Sequence, residues 1–145
     1  MRDLPRQLTV EELAELFEGR TRFVEKLAGY ENPLAAAPKV IAGLNEDEKL
    51  EALDAHPSIG AGNLSPRSAA EQGVEADPAL LAELAELNQA YEERFGFRFV
   101  VFVNARPKSE ILEVLRGRIT RPRNEELDTG LGELVAIARD RWSRS

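Results

Sequence analysis

A single histidine, His56, is the one side chain in the chain whose ordinary pKa lies near neutrality, so proton transfer at neutral pH has one natural candidate. It sits just before Pro57, in the last turn of a helix-patterned segment, where a histidine also serves as a helix-end cation facing the macrodipole. Ser68, Glu71 and Gln72 fall at i, i+3 and i+4, so on a helix their polar groups converge on one side and form a clamp for a flat, polar ligand. Ser68 and Glu71 also fit a capping box, but Ser65-Pro66 offers a better helix start one turn earlier and leaves both inside the helix. Arg141 follows Leu127 by fourteen residues and Leu134 by seven. It therefore leans toward the apolar stripe of its segment, while Arg139 and Asp140 point further away. An inward-leaning arginine either meets a partner or snorkels past Trp142 to water. Arg106, just after an aromatic run, is likewise either a binding arginine or a plain surface charge.

Composition limits what these residues can do. The absence of cysteine excludes disulfides, thiolate metal sites and thiol nucleophiles, and one histidine excludes a multi-histidine metal site. A formal net charge of -7 repels phosphate backbones, so no nucleic-acid partner is expected. No stretch approaches the roughly eighteen consecutive apolar residues of a membrane span, so no membrane partner is expected either. The opening Met-Arg-Asp-Leu-Pro-Arg lacks a signal-peptide core, and the final Trp142-Ser143-Arg144-Ser145 is not the peroxisomal Ser-Lys-Leu address. The expected location is the cytoplasm. At 145 residues the chain matches one domain, 1–145, long enough to bury a real core.

The elements that must position these residues are helices, because punctuation is frequent and apolar spacing follows the 3.6-residue period. Thr9 with Glu12 is a capping box opening a helix through Phe17, which Gly19 can end. A short helix carries Phe23, Val24 and Leu27. Asn32-Pro33 starts an Ala-rich segment to about Leu44, in which Pro38 argues for a kink or restart. Asn45 with Glu48 caps a helix that buries Leu50 and Leu53 and stops at His56-Pro57, since a residue before proline avoids helical geometry. After the loop Ser58 to Asn63, Ser65-Pro66 and Asp77-Pro78 each place a cap before a proline at the first helical position. The second of these helices carries the stripe Leu80, Leu84, Leu87 and Tyr91. Further helices run from Ser109 to about Ile119, and from a cap at Asn124 with Leu127, Leu131, Leu134, Val135, Ala138 and Trp142 on one face. The exception is Phe95 to Val103, an aromatic and β-branched run with strand propensity. With no second candidate strand it reads as an extended, buried connector whose backbone groups need partners other than a ladder. The expected fold is an all-α, compact single-domain bundle of about eight helices, with one extended buried connector near residues 95–104.

Taken in order, these features resemble the OHCU decarboxylase family, whose substrate is 2-oxo-4-hydroxy-4-carboxy-5-ureidoimidazoline. Phe17-Glu18-Gly19 followed by Phe23-Val24-Glu25-Lys26-Leu27 resembles its first helices, and His56-Pro57-Ser58-Ile59-Gly60 its His-Pro-x-Ile/Leu-Gly element. Ser68-x-x-Glu71-Gln72-Gly73 resembles its binding helix. Leu87-Asn88-x-x-Tyr91-x-x-Arg94-Phe95-Gly96-Phe97-x-Phe99-Val100 resembles the segment leading to its extended stretch, and Glu125 to Trp142 its last helix. The resemblance implies an all-helical lyase with no metal and no organic cofactor, converting OHCU to S-allantoin in urate breakdown, and it permits a homodimer. It makes His56 the catalytic acid/base and Glu71 its partner, with Pro57, Ser68 and Gln72 lining the ligand. The backbone of Val100, Val101, Phe102, Val103 and Asn104 would contact the heterocycle. The family's arginine falls on Arg141, with Arg106 as the other candidate.

The implied chemistry needs no cofactor, because the substrate carries its own electron sink: a C=N bond beside the carbon that bears hydroxyl and carboxylate. The protein has only to position the ring, favour its ionised form and manage protons. Tight binding of the departing carboxylate would stabilise the ground state, so the arginine is expected on ring or ureido oxygens. Two other readings remain: a related lyase acting on another ureido or hydantoin compound, since a fold does not fix a substrate, and a non-catalytic helical interaction module.

Overall fold

The computed structural model describes residues 8–56, 78–104 and 106–144. Seven helices are present among them: α1 (Val10–Phe17), α2 (Arg22–Leu27), α3 (Pro33–Ala42), α4 (Glu46–Asp54), α5 (Pro78–Phe95), α6 (Lys108–Arg118) and α7 (Arg123–Arg144). No strand occurs among the described residues, so the all-α expectation holds. The helix expected from Ser65-Pro66 lies outside the described residues.

Local chemistry accounts for most boundaries. Both capping boxes form: the Thr9 hydroxyl accepts from Glu12 N and the Asn45 amide oxygen from Glu48 N, while each glutamate accepts from the backbone N–H of its cap residue. Thr21 and Asn32 cap α2 and α3 in the same way. These bonds satisfy N–H groups that have no intrahelical acceptor. Three boundary details differ from expectation. Lys108 and Arg123 are already helical, which puts Asn124 inside the first turn of α7 rather than at its cap. The left-handed residue closing α1 is Glu18, not Gly19. Pro38 neither breaks nor restarts α3, which runs continuously through it. The Leu34 carbonyl, which loses its donor at position 38, accepts instead from Arg139 Nη2 at 3.1 Å.

The 22-residue α7, about 33 Å long at helical rise, is the organising element. α1, α3 and α4 pack on it, α2 bridges α1, α3 and α4, and α5 packs on α6. The approach of α4 is close because position 130 has no side chain: a Cβ there would stand 3.1 Å from Leu53 Cδ2. Leu127, Leu131, Leu134 and Ala138 are buried as expected, whereas Trp142 is only half-buried. In α5 the buried face is Leu84, Asn88, Tyr91 and Phe95, so Leu80 and Leu87 lie at its margin. In α4, Leu53 is buried but Leu50 is half-buried, and Ala52 and Glu48 take the covered positions.

The connector is extended and buried. Its side chains form the aromatic centre of the core: Tyr91 lies 4.6 Å from Phe95, 6.0 Å from Phe97 and 5.2 Å from Phe99, and Phe95 stacks on Phe97. Burying such rings supplies about 2 kcal/mol each. With no ladder available, side chains satisfy its backbone. Arg123 Nε donates to Phe95 O, Arg118 Nη1 to Val100 O at 2.8 Å, and Arg106 Nη2 and Nε to Phe102 O and Val103 O. Asp54 accepts from Arg98 N and Glu133 from Phe102 N. Arg118 is held in turn by Glu126, which is fully buried and also accepts from the Tyr91 hydroxyl at 2.7 Å and from Arg121.

Candidate active site

His56 follows the end of α4, its N–H donating to Leu53 O. The packing of α1 against this point explains why it is buried: a Cβ at Gly19 would stand 3.0 Å from the Ala55 Cβ, so the glycine lets the α1 terminus close over the α4 terminus. His56 is 7 % exposed, and its Nδ1 has no hydrogen-bond partner among the described residues. A buried, unpaired ring nitrogen costs free energy unless a ligand engages it. Burial, helped by the Arg141 charge and against the opposing pull of Glu18, with a smaller push from Arg98, holds the His56 pKa down to about 4. At neutral pH the ring is therefore uncharged and able to accept a proton.

Arg141 reaches the same place from α7. It is 2 % exposed, so it does not snorkel past Trp142. Its Nη1 donates to Leu16 O at 2.8 Å, and its Nη2 lies 3.2 Å from Glu18 Oε1. The end of α1 thus supplies a carbonyl and a carboxylate that fix a guanidinium beside an uncharged imidazole.

The connector joins this group through Arg98, whose Nη1 donates to His56 O at 2.8 Å. Along residues 100–104, the carbonyls of Val100, Phe102 and Val103 and the N–H of Phe102 are engaged by side chains as described above. The N–H and C=O of Val101 have no partner among the described residues. Asn104 closes the run in a left-handed conformation, φ 50°. Arg106 is not a plain surface charge, since its guanidinium braces the end of the connector through Phe102 O and Val103 O.

The structure therefore sets Arg141 within electrostatic reach of His56, and ties the connector to His56. Pro57, Ser68, Glu71 and Gln72 lie outside the described residues. No group of side chains suited to a metal ion occurs among the described residues.

A family model described as OHCU decarboxylase matches residues 2–143. The chain belongs to the OHCU decarboxylase family. Among its relatives, a 2-oxo-4-hydroxy-4-carboxy-5-ureidoimidazoline decarboxylase of Halalkalicoccus jeotgali is 28% identical over 108 residues, covering 71% of this chain and 61% of the relative. A uric acid degradation bifunctional protein of Arabidopsis thaliana is 31% identical over 111 residues, covering 70% of this chain and 34% of the relative. This chain thus spans less than two thirds of the length of either. A solved structure of OHCU decarboxylase in the presence of (S)-allantoin superimposes with a TM-score of 0.75 at 24% identity, covering 92% of this chain and 96% of the other. That likeness shows the fold.

Within this OHCU decarboxylase fold, Glu18, Arg98, Arg118, Glu126 and Glu133 were not singled out by sequence reasoning. Glu126 and Arg118 are eight residues apart across Pro122, and no helical or strand period joins them. Glu18 carried only a faint signal: it lies between the last buried residue of α1 and a glycine.

Proposed function

We propose that this protein decarboxylates OHCU to S-allantoin in urate degradation. The observation that carries the reading is the sole histidine, buried, uncharged at neutral pH and without a partner at Nδ1 among the described residues, beside a fixed arginine in a chain of the OHCU decarboxylase family.

The C–C bond to the carboxylate breaks, CO2 leaves, and the electron pair moves into the neighbouring C=N system, with one solvent proton consumed overall. His56, uncharged, accepts the hydroxyl proton as the ring carbonyl forms, and His56 or Glu71 returns a proton to the ureido-bearing carbon from one face. One-sided delivery sets the S configuration. The pKa of about 4 belongs to the empty site. An anionic substrate beside Arg141 offsets the cation and raises the imidazole's basicity when it is needed.

The open N–H and C=O of Val101 offer a donor and an acceptor to the amide-like edge of the ring. Ser68, Gln72 and Pro57 complete the lining in this reading. Of the two arginines, Arg141 is assigned to ring or ureido oxygens because it stands at His56, and Arg106 to bracing the connector. No metal or organic cofactor takes part. No described helix is long and apolar enough to cross a membrane; the reading places the enzyme in the cytoplasm, with OHCU and S-allantoin as its partners and a homodimer as its assembly.

The test is circular dichroism of freshly generated OHCU with and without the protein, alongside related hydantoins. S-allantoin should form faster than in buffer, and His56→Asn should abolish most of that gain while leaving helicity intact. Formation no faster than in buffer rejects the proposal, and turnover of a hydantoin in place of OHCU reassigns the substrate.

A further inference from the structure

Among the described residues, only two that are not glycine have positive φ, Glu18 at 66° and Asn104 at 50°. Both belong to the site: one touches Arg141, and the other ends the connector. Asparagine adopts this conformation readily, but glutamate does so at a cost of about 1 kcal/mol. A helix end of this kind ordinarily carries glycine or asparagine. In α1 the glycine comes one residue later, at Gly19, and the strained position is left to a carboxylate.

That carboxylate is deeply placed. The Glu18 side chain is 14 % exposed and the Arg141 side chain 1 % exposed, with Nη2 and Oε1 3.2 Å apart, so little solvent screens the pair. The left-handed turn directs the chain back so that Gly19 packs on Ala55, next to His56. The same turn thus aims Glu18 at Arg141, within electrostatic reach of the imidazole.

We propose that Glu18 is a positioning residue of this site, holding the Arg141 guanidinium in place and setting, with it, the field at His56. The proposal rests on the reading of His56 and Arg141 as active-site residues. Among the described residues, the other charged groups near this end of α4 have partners of their own. Arg98 donates to the His56 carbonyl, and its own backbone N–H is tied to Asp54. On α2, Arg22 and Lys26 are turned to Glu51 and Glu48. Among the described residues, Glu18 is the group whose charge opposes those of Arg141 and Arg98 at the ring.

Because the chain has one histidine, its imidazole protons can be followed by NMR through a pH titration without assignment. In Glu18→Gln, which keeps shape and an acceptor but removes the charge, the His56 titration should move down by about one unit, and kcat/KM for OHCU should fall at least tenfold, mostly through kcat. Glu18→Gly relieves the backbone strain and provides a folded variant should the glutamine variant fail to fold; it should show the same two changes. A His56 titration that superimposes on wild type in both variants overturns the proposal, whatever the activity. Loss of activity with an unmoved titration also overturns it, since that is what a purely structural ion pair gives. If wild type titrates as described and the variants shift, but none turns over OHCU, the pairing stands and the decarboxylase reading fails.

Discussion

Arg139 Nη2 donates at 3.1 Å to the carbonyl of Leu34, the carbonyl that would have received the N–H of residue 38 had that residue not been Pro38. The final helix thereby supplies in trans what the proline removes in cis, and α3 stays continuous. Arg139→Met, which keeps the apolar stem, should cost about 1 kcal/mol in urea unfolding. In a Pro38→Ala background, where the backbone supplies the donor itself, the same substitution should cost little. Equal costs in the two backgrounds would sever the link between these residues.

Glu126 carries the second prediction. It is fully buried and receives Tyr91 Oη at 2.7 Å, Arg118 Nε at 2.7 Å and Arg121 Nη1 at 3.0 Å. Its removal leaves Arg118, 6 % exposed, as an uncompensated cation, and frees the guanidinium that fixes Val100 O. Glu126→Ala should destabilise the protein by about 3–5 kcal/mol, and Tyr91→Phe, which deletes one neutral donor, by about 1 kcal/mol. Urea midpoints decide between them: similar losses in both variants would mean that the carboxylate is not the hub.

What the sequence disclosed and what it withheld divide along a physical line. Caps, proline starts and apolar periods act within four residues, so α1 to α7 were nearly all foreseen. The connector was foreseen because nine residues of strand propensity had no partner strand, which left its backbone groups to partners other than a ladder. Which side chains these are could not be read: Arg118, Glu133 and Asp54 come from three separate helices or helix ends, and no local period relates them to the connector. The same holds for Arg141. Its inward lean was visible seven residues from Leu134, but its partners, Leu16 O and Glu18, lie at the far end of the chain. Pro38 misled because the compensating donor sits 105 residues away from the carbonyl it serves.

His56 links the site to stability through pH. Burial, with Arg141, holds its folded-state pKa near 4, against 6.5 for the free side chain. The unfolded chain therefore binds a proton that the folded protein refuses between these values. With the folded pKa depressed, the stabilising contribution of the neutral ring is complete above about pH 6.5 and is lost as the pH falls toward 4. The loss at pH 4 amounts to about 3 kcal/mol, large against the total stability of a domain this size. Carboxylates titrate over part of the same range, so wild type must be compared with His56→Asn. The wild-type unfolding free energy minus that of the variant should decrease by that amount from pH 7 to pH 4. A difference that stays flat across this range would show that the imidazole keeps its ordinary pKa of 6.5 in the folded protein, and burial would then not be what holds His56 uncharged.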